Sequence, residues 1–99
     1  MAEEILSIAV IEALPGKEAE LLSTMRELGT LMQARGYSHD TLHRDTSRAG
    51  RFLLLRYWNA PHMRAEAQAD PEVHRHWLKL PELCDVTVVY ESLEKVFES

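Results

Sequence analysis

Phe52-Leu53-Leu54-Leu55-Arg56-Tyr57-Trp58 is the most strand-like run in the chain. Side chains of a strand point alternately to its two faces. One face therefore carries Phe52, Leu54, Arg56 and Trp58, and the other Leu53, Leu55 and Tyr57. Both faces are apolar apart from one guanidinium, so the strand must be covered on both sides.

Upstream, Thr46-Ser47-Arg48-Ala49-Gly50 has the composition of a hairpin connection. It joins Phe52–Trp58 to a more polar strand expected over Tyr37 to Asp45. Before that, from Lys17, the apolar period is helical: Leu21, Met25, Leu28 and Met32 form one stripe, with Leu22 and Gly29 beside it. Gly36 is placed to stop this helix, and Gly16 to cap its start after Pro15. The β-branched run Ile5 to Ile11 reads as a first strand, again apolar on both faces.

Downstream, Asn59-Ala60-Pro61 opens a second helical stretch. Asp70-Pro71-Glu72 is a second helix start, with Asp as cap, Pro in the first turn and an acid behind it. Val73, Trp77 and Leu80 then recur at helical spacing, which implies two short helices or one interrupted helix ending at Pro81. Val86 to Tyr90 is the last strand, and the segment from Leu93 to Phe97 either prolongs it or swings out onto a partner.

The order is β-α-β-β-α-β, the ferredoxin-like α+β pattern with a four-stranded antiparallel sheet and its helices on one face. Two helices cover one face, and the other would expose apolar side chains over an area too large for a monomer. An isologous homodimer through that sheet face is the simplest way to cover it.

Composition supports one domain over residues 1–99. A chain this short buries only roughly 60–65% of its unfolded surface, so a partner subunit helps it. The formal net charge is −5 and the basic residues form no stripe, which argues against a nucleic-acid partner. No run of about 18 apolar residues exists to span a membrane. The start Met1-Ala2-Glu3-Glu4 is acidic where a signal peptide would be basic, so a cytoplasmic location is expected. The single cysteine, Cys84, reads as a small buried hydrophobe.

The chain resembles the antibiotic biosynthesis monooxygenase family of dimeric α+β barrels. The resemblance is carried by Pro15-Gly16-Lys17-Glu18-Ala19-Glu20, the strand entry from Gly36 to Asp45, Gly50-Arg51-Phe52-Leu53-Leu54-Leu55, Trp58 ahead of Asn59-Ala60-Pro61, and Ala69-Asp70-Pro71. It implies a pocket between each sheet and its helices. It also implies oxidation of a small phenolic or quinol-type aromatic compound by dioxygen, with no metal or other cofactor. Some relatives degrade haem. They use an Asn, a Trp and a His at positions that here hold Ala9, Ala67 and Trp77, with His74 and His76 nearby. A barrel that binds a small ligand or serves a stress response without catalysis is the other alternative.

Five histidines raise the question of a metal. His39 and His43 are four apart on a strand, about 13 Å, too far to share one ion. His74 and His76 are about 200° apart around a helix. No metal site is expected. Histidine is the natural side chain to deprotonate a phenol, and His39 is the candidate base. Arg56 is the candidate anion stabiliser, with an ion pair to Asp40 or Glu91 as its structural alternative. Trp58 and Trp77 are candidate aromatic walls, and Tyr57 and His74 further substrate contacts.

Overall fold

A computed structural model describes residues 5–99; the acidic start Met1 to Glu4 lies outside the described residues. Strands β1 (Ile5–Ala13), β2 (Ser38–Arg44), β3 (Arg51–Trp58) and β4 (Cys84–Glu94) alternate with helices α1 (Glu18–Ala34), α2 (Met63–Gln68) and α3 (Pro71–Lys79), and a 3-10 turn follows over Leu80–Glu82. The sheet runs β2-β3-β1-β4, with every neighbouring pair antiparallel. This is the ferredoxin-like α+β arrangement expected from the sequence.

Local chemistry sets the boundaries. At the end of α1, Gly36 adopts φ +74°, a left-handed conformation that costs a residue without Cβ little. Its N–H donates to Gln33 O and that of Tyr37 to Met32 O, the two bonds of a Schellman stop. The start of α1 differs from expectation. Gly16 sits in the preceding turn at φ +76°, and Lys17 is the cap residue, without a side-chain cap. The turn closes through Lys17 N–H to Leu14 O, which uses up the glycine one position early. At α3 the expected cap is present: Asp70 accepts from the Glu72 N–H at 3.0 Å, with Pro71 in the first turn.

The core lies between the helices and one sheet face. Leu21, Met25, Leu28 and Met32 of α1 bury against Ile11, Phe52 and Trp58 of the sheet, with Val73 and Leu83 closing the far side. The buried Cys84 thiol points its hydrogen at Leu80 O, and burial pushes its pKa up. The opposite sheet face carries no helix. Across it run Leu6, Ile8 and Val10 of β1, paired with Tyr57, Leu55 and Leu53 of β3 and with Leu93, Tyr90 and Val88 of β4.

Strand β4 is longer than the Val86–Tyr90 segment foreseen, because it pairs with β1 from Cys84 onward to Glu94. It also breaks register twice. Ile11 faces Val86 while Val10 faces Val88, so Thr87 is an extra residue in a bulge. Beyond Glu94 the chain is irregular, and Val96 and Phe97 are exposed. Among the described residues no helix is long and apolar enough to cross a membrane.

Asp70 also joins two layers. Its buried carboxylate accepts from the Tyr37 hydroxyl at 2.7 Å and pairs with Arg35, tying the end of α1 and the entry to β2 onto α3. The Tyr37 hydrogen bond, with help from the Glu72 N–H and Arg35, holds its pKa below the usual carboxylate value against the opposing effect of burial. The stabilisation is therefore complete above the unfolded carboxylate pKa and is lost as pH falls through the lower folded value. Urea unfolding should show Asp70→Asn less stable than wild type at pH 7, with the gap closing below about pH 4. A gap that is unchanged at acid pH contradicts this role.

Candidate functional site

Alternation on β3 puts Phe52, Leu54, Arg56 and Trp58 on the helix side. Arg56 is buried there and finds the carboxylate of Asp40 on the neighbouring β2. Its Nε donates to Oδ1 at 3.0 Å and to Oδ2 at 3.2 Å, and its Nη2 donates to Oδ2 at 2.9 Å. Ser38 Oγ also donates to Asp40 Oδ1, at 2.8 Å. Of the two carboxylates considered from sequence, Asp40 is the partner. The guanidinium also lies 5.6 Å from the centre of the Trp58 ring, within cation–π range.

Trp58 is held from its other end. Its indole N–H donates to Ser7 Oγ at 2.8 Å, and that hydroxyl donates to Glu91 O at 2.6 Å. The one hydroxyl of strand β1 thus orients a tryptophan of β3 and fastens β4 beside it. From the helix layer Trp77 completes the enclosure. The result is a hollow of about 140 Å³ lined by Ser7, Ile8, Ala9, Leu54, Arg56, Trp58, Arg64, Gln68, Trp77, Val89 and Glu91. It has aromatic walls, an aliphatic floor and two arginines. Arg64 of α2 reaches β4, with its Nη2 3.2 Å from the Glu91 carboxylate and its Nη1 3.3 Å from Glu91 O.

A wider hollow of about 500 Å³ opens between α1 and β2, on the other side of Leu54. Neither tryptophan lines it, and two of its three charged groups are engaged elsewhere, Asp40 by Arg56 and Arg44 by Glu18; the third, Arg26, is exposed on α1. The smaller hollow brings together more of the chemistry and is the candidate site.

Three of the residues singled out from sequence, Arg56, Trp58 and Trp77, meet at this hollow. The others do not. His39 and Tyr57 face each other across β2 and β3 on the helix-free side, their rings 6.1 Å apart and nearly stacked. His39 therefore cannot act as base on a ligand held by Arg56 and the tryptophans of the same subunit, because the sheet itself separates them. His74 is exposed on α3 and does not line the hollow. His76 bonds Glu72 O through Nδ1 at 2.8 Å and lies 3.6 Å from Glu27 on α1. Among the described residues no group of three or more His, Cys, Asp or Glu is placed to hold a metal ion.

Sequence reasoning missed Ser7, Arg64, Gln68 and Glu91 as parts of one site. Ser7 had a readable signal, since it is the one hydroxyl in Ile5–Ile11. Arg64 and Gln68 had none: a polar residue on a short surface helix looks the same whether or not it borders a hollow.

The solved structures that share this fold include PA3566 from Pseudomonas aeruginosa, at 20% identity and a TM-score of 0.82, with 98% of each chain covered. SnoaB, a cofactor-independent oxygenase from Streptomyces nogalater, matches at 20% identity and a TM-score of 0.76, over 98% of this chain and 100% of its own. A candidate antibiotic biosynthesis monooxygenase from Bordetella bronchiseptica matches at 23% identity and a TM-score of 0.77, over 96% and 99%. At such identities the likeness establishes the fold, which is that of the antibiotic biosynthesis monooxygenases. No family model matches the sequence, and no curated protein matches it.

The Asp40–Arg56 pair is the electrostatic centre of the site, and its loss has a defined cost. Removing one partner of a buried pair strands the other charge. Asp40→Ala should lower unfolding free energy by about 3–5 kcal/mol, measured by urea titration. Glu18→Ala, which breaks an exposed pair with Arg44, should cost under about 1 kcal/mol. Equal effects of the two substitutions would remove Asp40–Arg56 from this central position.

Proposed function

We propose that this chain is a cofactor-independent monooxygenase that oxidises a small phenolic or quinol-type aromatic compound with dioxygen. The observation that carries the reading is the hollow itself: Trp58 and Trp77 line it together with guanidinium donors, in a fold shared with a cofactor-independent oxygenase. Flat aromatic molecules suit such walls. Arg56, already fixed by Asp40, offers N–H donors that need no reorganisation as negative charge develops on a phenolic oxygen.

The chemistry then belongs mainly to the substrate. A phenolate is electron-rich enough to reduce dioxygen. One oxygen atom bonds to a ring carbon that carries hydrogen, producing the quinone. The other leaves as water, taking the ring hydrogen and the phenolic hydrogen. The four electrons that dioxygen accepts come from the substrate. Fixing the ring in one orientation is the protein's contribution, and displacement from that orientation costs about 10²-fold in rate per ångström.

Purified, metal-stripped protein should consume oxygen with at least one member of a panel of hydroquinones and polycyclic phenols. Trp77→Ala should lower that rate at least about tenfold. His39→Ala should stay within about twofold, where loss of a true base would cost about 10²–10⁴-fold. No protein-dependent uptake anywhere in the panel overturns the oxygenase reading.

The reading includes a homodimer closed through the helix-free sheet face. Its support is the apolar character of that face, from Leu6, Ile8 and Val10 across to Leu53, Leu55, Val88 and Tyr90. Exposed apolar faces of this extent are interaction surfaces, and a self-complementary one closes by a two-fold axis. Light scattering should give twice the chain mass for wild type and one chain mass for Leu55→Glu. A wild-type monomer, or a dimer that tolerates Leu55→Glu, rejects this interface.

A further inference from the structure

The two arginines of the hollow are not equivalent. Arg56 is buried, held by three hydrogen bonds to a carboxylate that is itself only 7% exposed. That pair is neutral as a unit and has no solvent route by which to exchange. Arg64 is 35% exposed, and its partner Glu91 is 68% exposed. Both Arg64 contacts to Glu91 are long for charge-assisted hydrogen bonds, at 3.2 and 3.3 Å. Such pairs are worth little in water. If the Glu91 side chain turns to solvent, it is rehydrated at little cost. The hollow then holds one uncompensated positive charge, because Glu91 is the one carboxylate among the described lining residues.

We infer that Arg64 is the anion-binding residue of the hollow, and that its ligand is an aromatic acid whose carboxylate displaces Glu91. The group being replaced is itself a carboxylate, so the geometry that Arg64 already satisfies is the geometry the ligand must reproduce. The ring then lies between Trp58 and Trp77. This rests on the proposed oxygenase reading and narrows its substrate to phenols that also bear a carboxylate. Glu91 acts as a gate: it occupies Arg64 in the empty protein and competes with weak or neutral ligands.

Direct binding tests this without turnover. The chain has two tryptophans, and both line the hollow, so intrinsic fluorescence reports from the site. Benzoate and its neutral counterpart benzamide are titrated into wild type, Arg64→Gln and Glu91→Gln. Benzoate should bind wild type more tightly than benzamide. Arg64→Gln should weaken benzoate at least about tenfold, the value of a hydrogen bond to a charged group, while leaving benzamide unchanged. Glu91→Gln should tighten benzoate severalfold. That opposite sign separates competition from a structural role, since damage to the fold would weaken binding in both variants.

Equal binding of the two probes, an unchanged benzoate affinity in Arg64→Gln, or weaker benzoate binding in Glu91→Gln overturns the inference. Oxygen uptake on neutral phenols alongside any of these leaves the oxygenase reading standing. A tryptophan signal that responds to neither probe overturns the anion site, and with it the aromatic walls on which the oxygenase reading depends.

Discussion

Two helical layers' worth of apolar surface and one layer of helix: this imbalance governs the molecule. β1 and β3 are apolar on both faces, yet α1, α2 and α3 all pack on the same side. The hydrophobic effect scales with area removed from water and has no directional preference. A side left uncovered is therefore a driving force for association. The helix side must in turn do two jobs with few residues: supply the core of a 99-residue chain and leave room for a hollow.

It manages both by dividing the layer. Under α1 the packing is continuous, with Leu21, Leu28 and Met32 almost wholly buried. Under the broken α2–α3 segment it is not, and the gap becomes the site. The break at Asp70 is what allows it. A continuous helix from Met63 to Lys79 would lie along one axis, whereas the cap at Asp70 restarts the chain in a new direction and brings Trp77 over the sheet. The same carboxylate, bound to Arg35 and Tyr37, fixes where that second helix begins. Helix capping and site geometry are here one piece of chemistry.

Most of the fold could be read from alternation and period. Phe52–Trp58 announced a buried central strand, and the split of its residues between faces was correct, including Arg56 beside Trp58. The Asp70-Pro71 restart and the Gly36 stop were equally visible, because each depends on a residue with a distinctive backbone or capping role. Sites are harder to read because they depend on distance between elements. His39 was assigned a role beside Arg56 on chemistry alone, although strand alternation, with Asp40 paired to Arg56, puts His39 on the reverse side. Arg64 and Glu91 are 27 residues apart and each looks like a surface charge. Only the β1–β4 pairing brings them together. The extent of β4 was also underestimated, since Cys84, Asp85 and Glu91 are not strand-forming types and owe their conformation to the ladder with β1.

The bulge at Thr87 has a consequence for how this strand can change over evolutionary time. Plain alternation would put Val86, Val88 and Tyr90 on one face; the extra residue sends Val86 to the helices and Val88 and Tyr90 to the other side. Substitutions along β4 are absorbed locally, one side chain at a time. Loss of the codon for Thr87 would be absorbed too: it would remove the bulge and leave Val88, Val89 and Tyr90 opposite Val10, Ala9 and Ile8, on the faces they already occupy. The bulge is thus the point at which this strand can change length by one residue without exchanging its faces, and a related strand that lacks it would need a one-residue gap at Thr87 to be compared in phase.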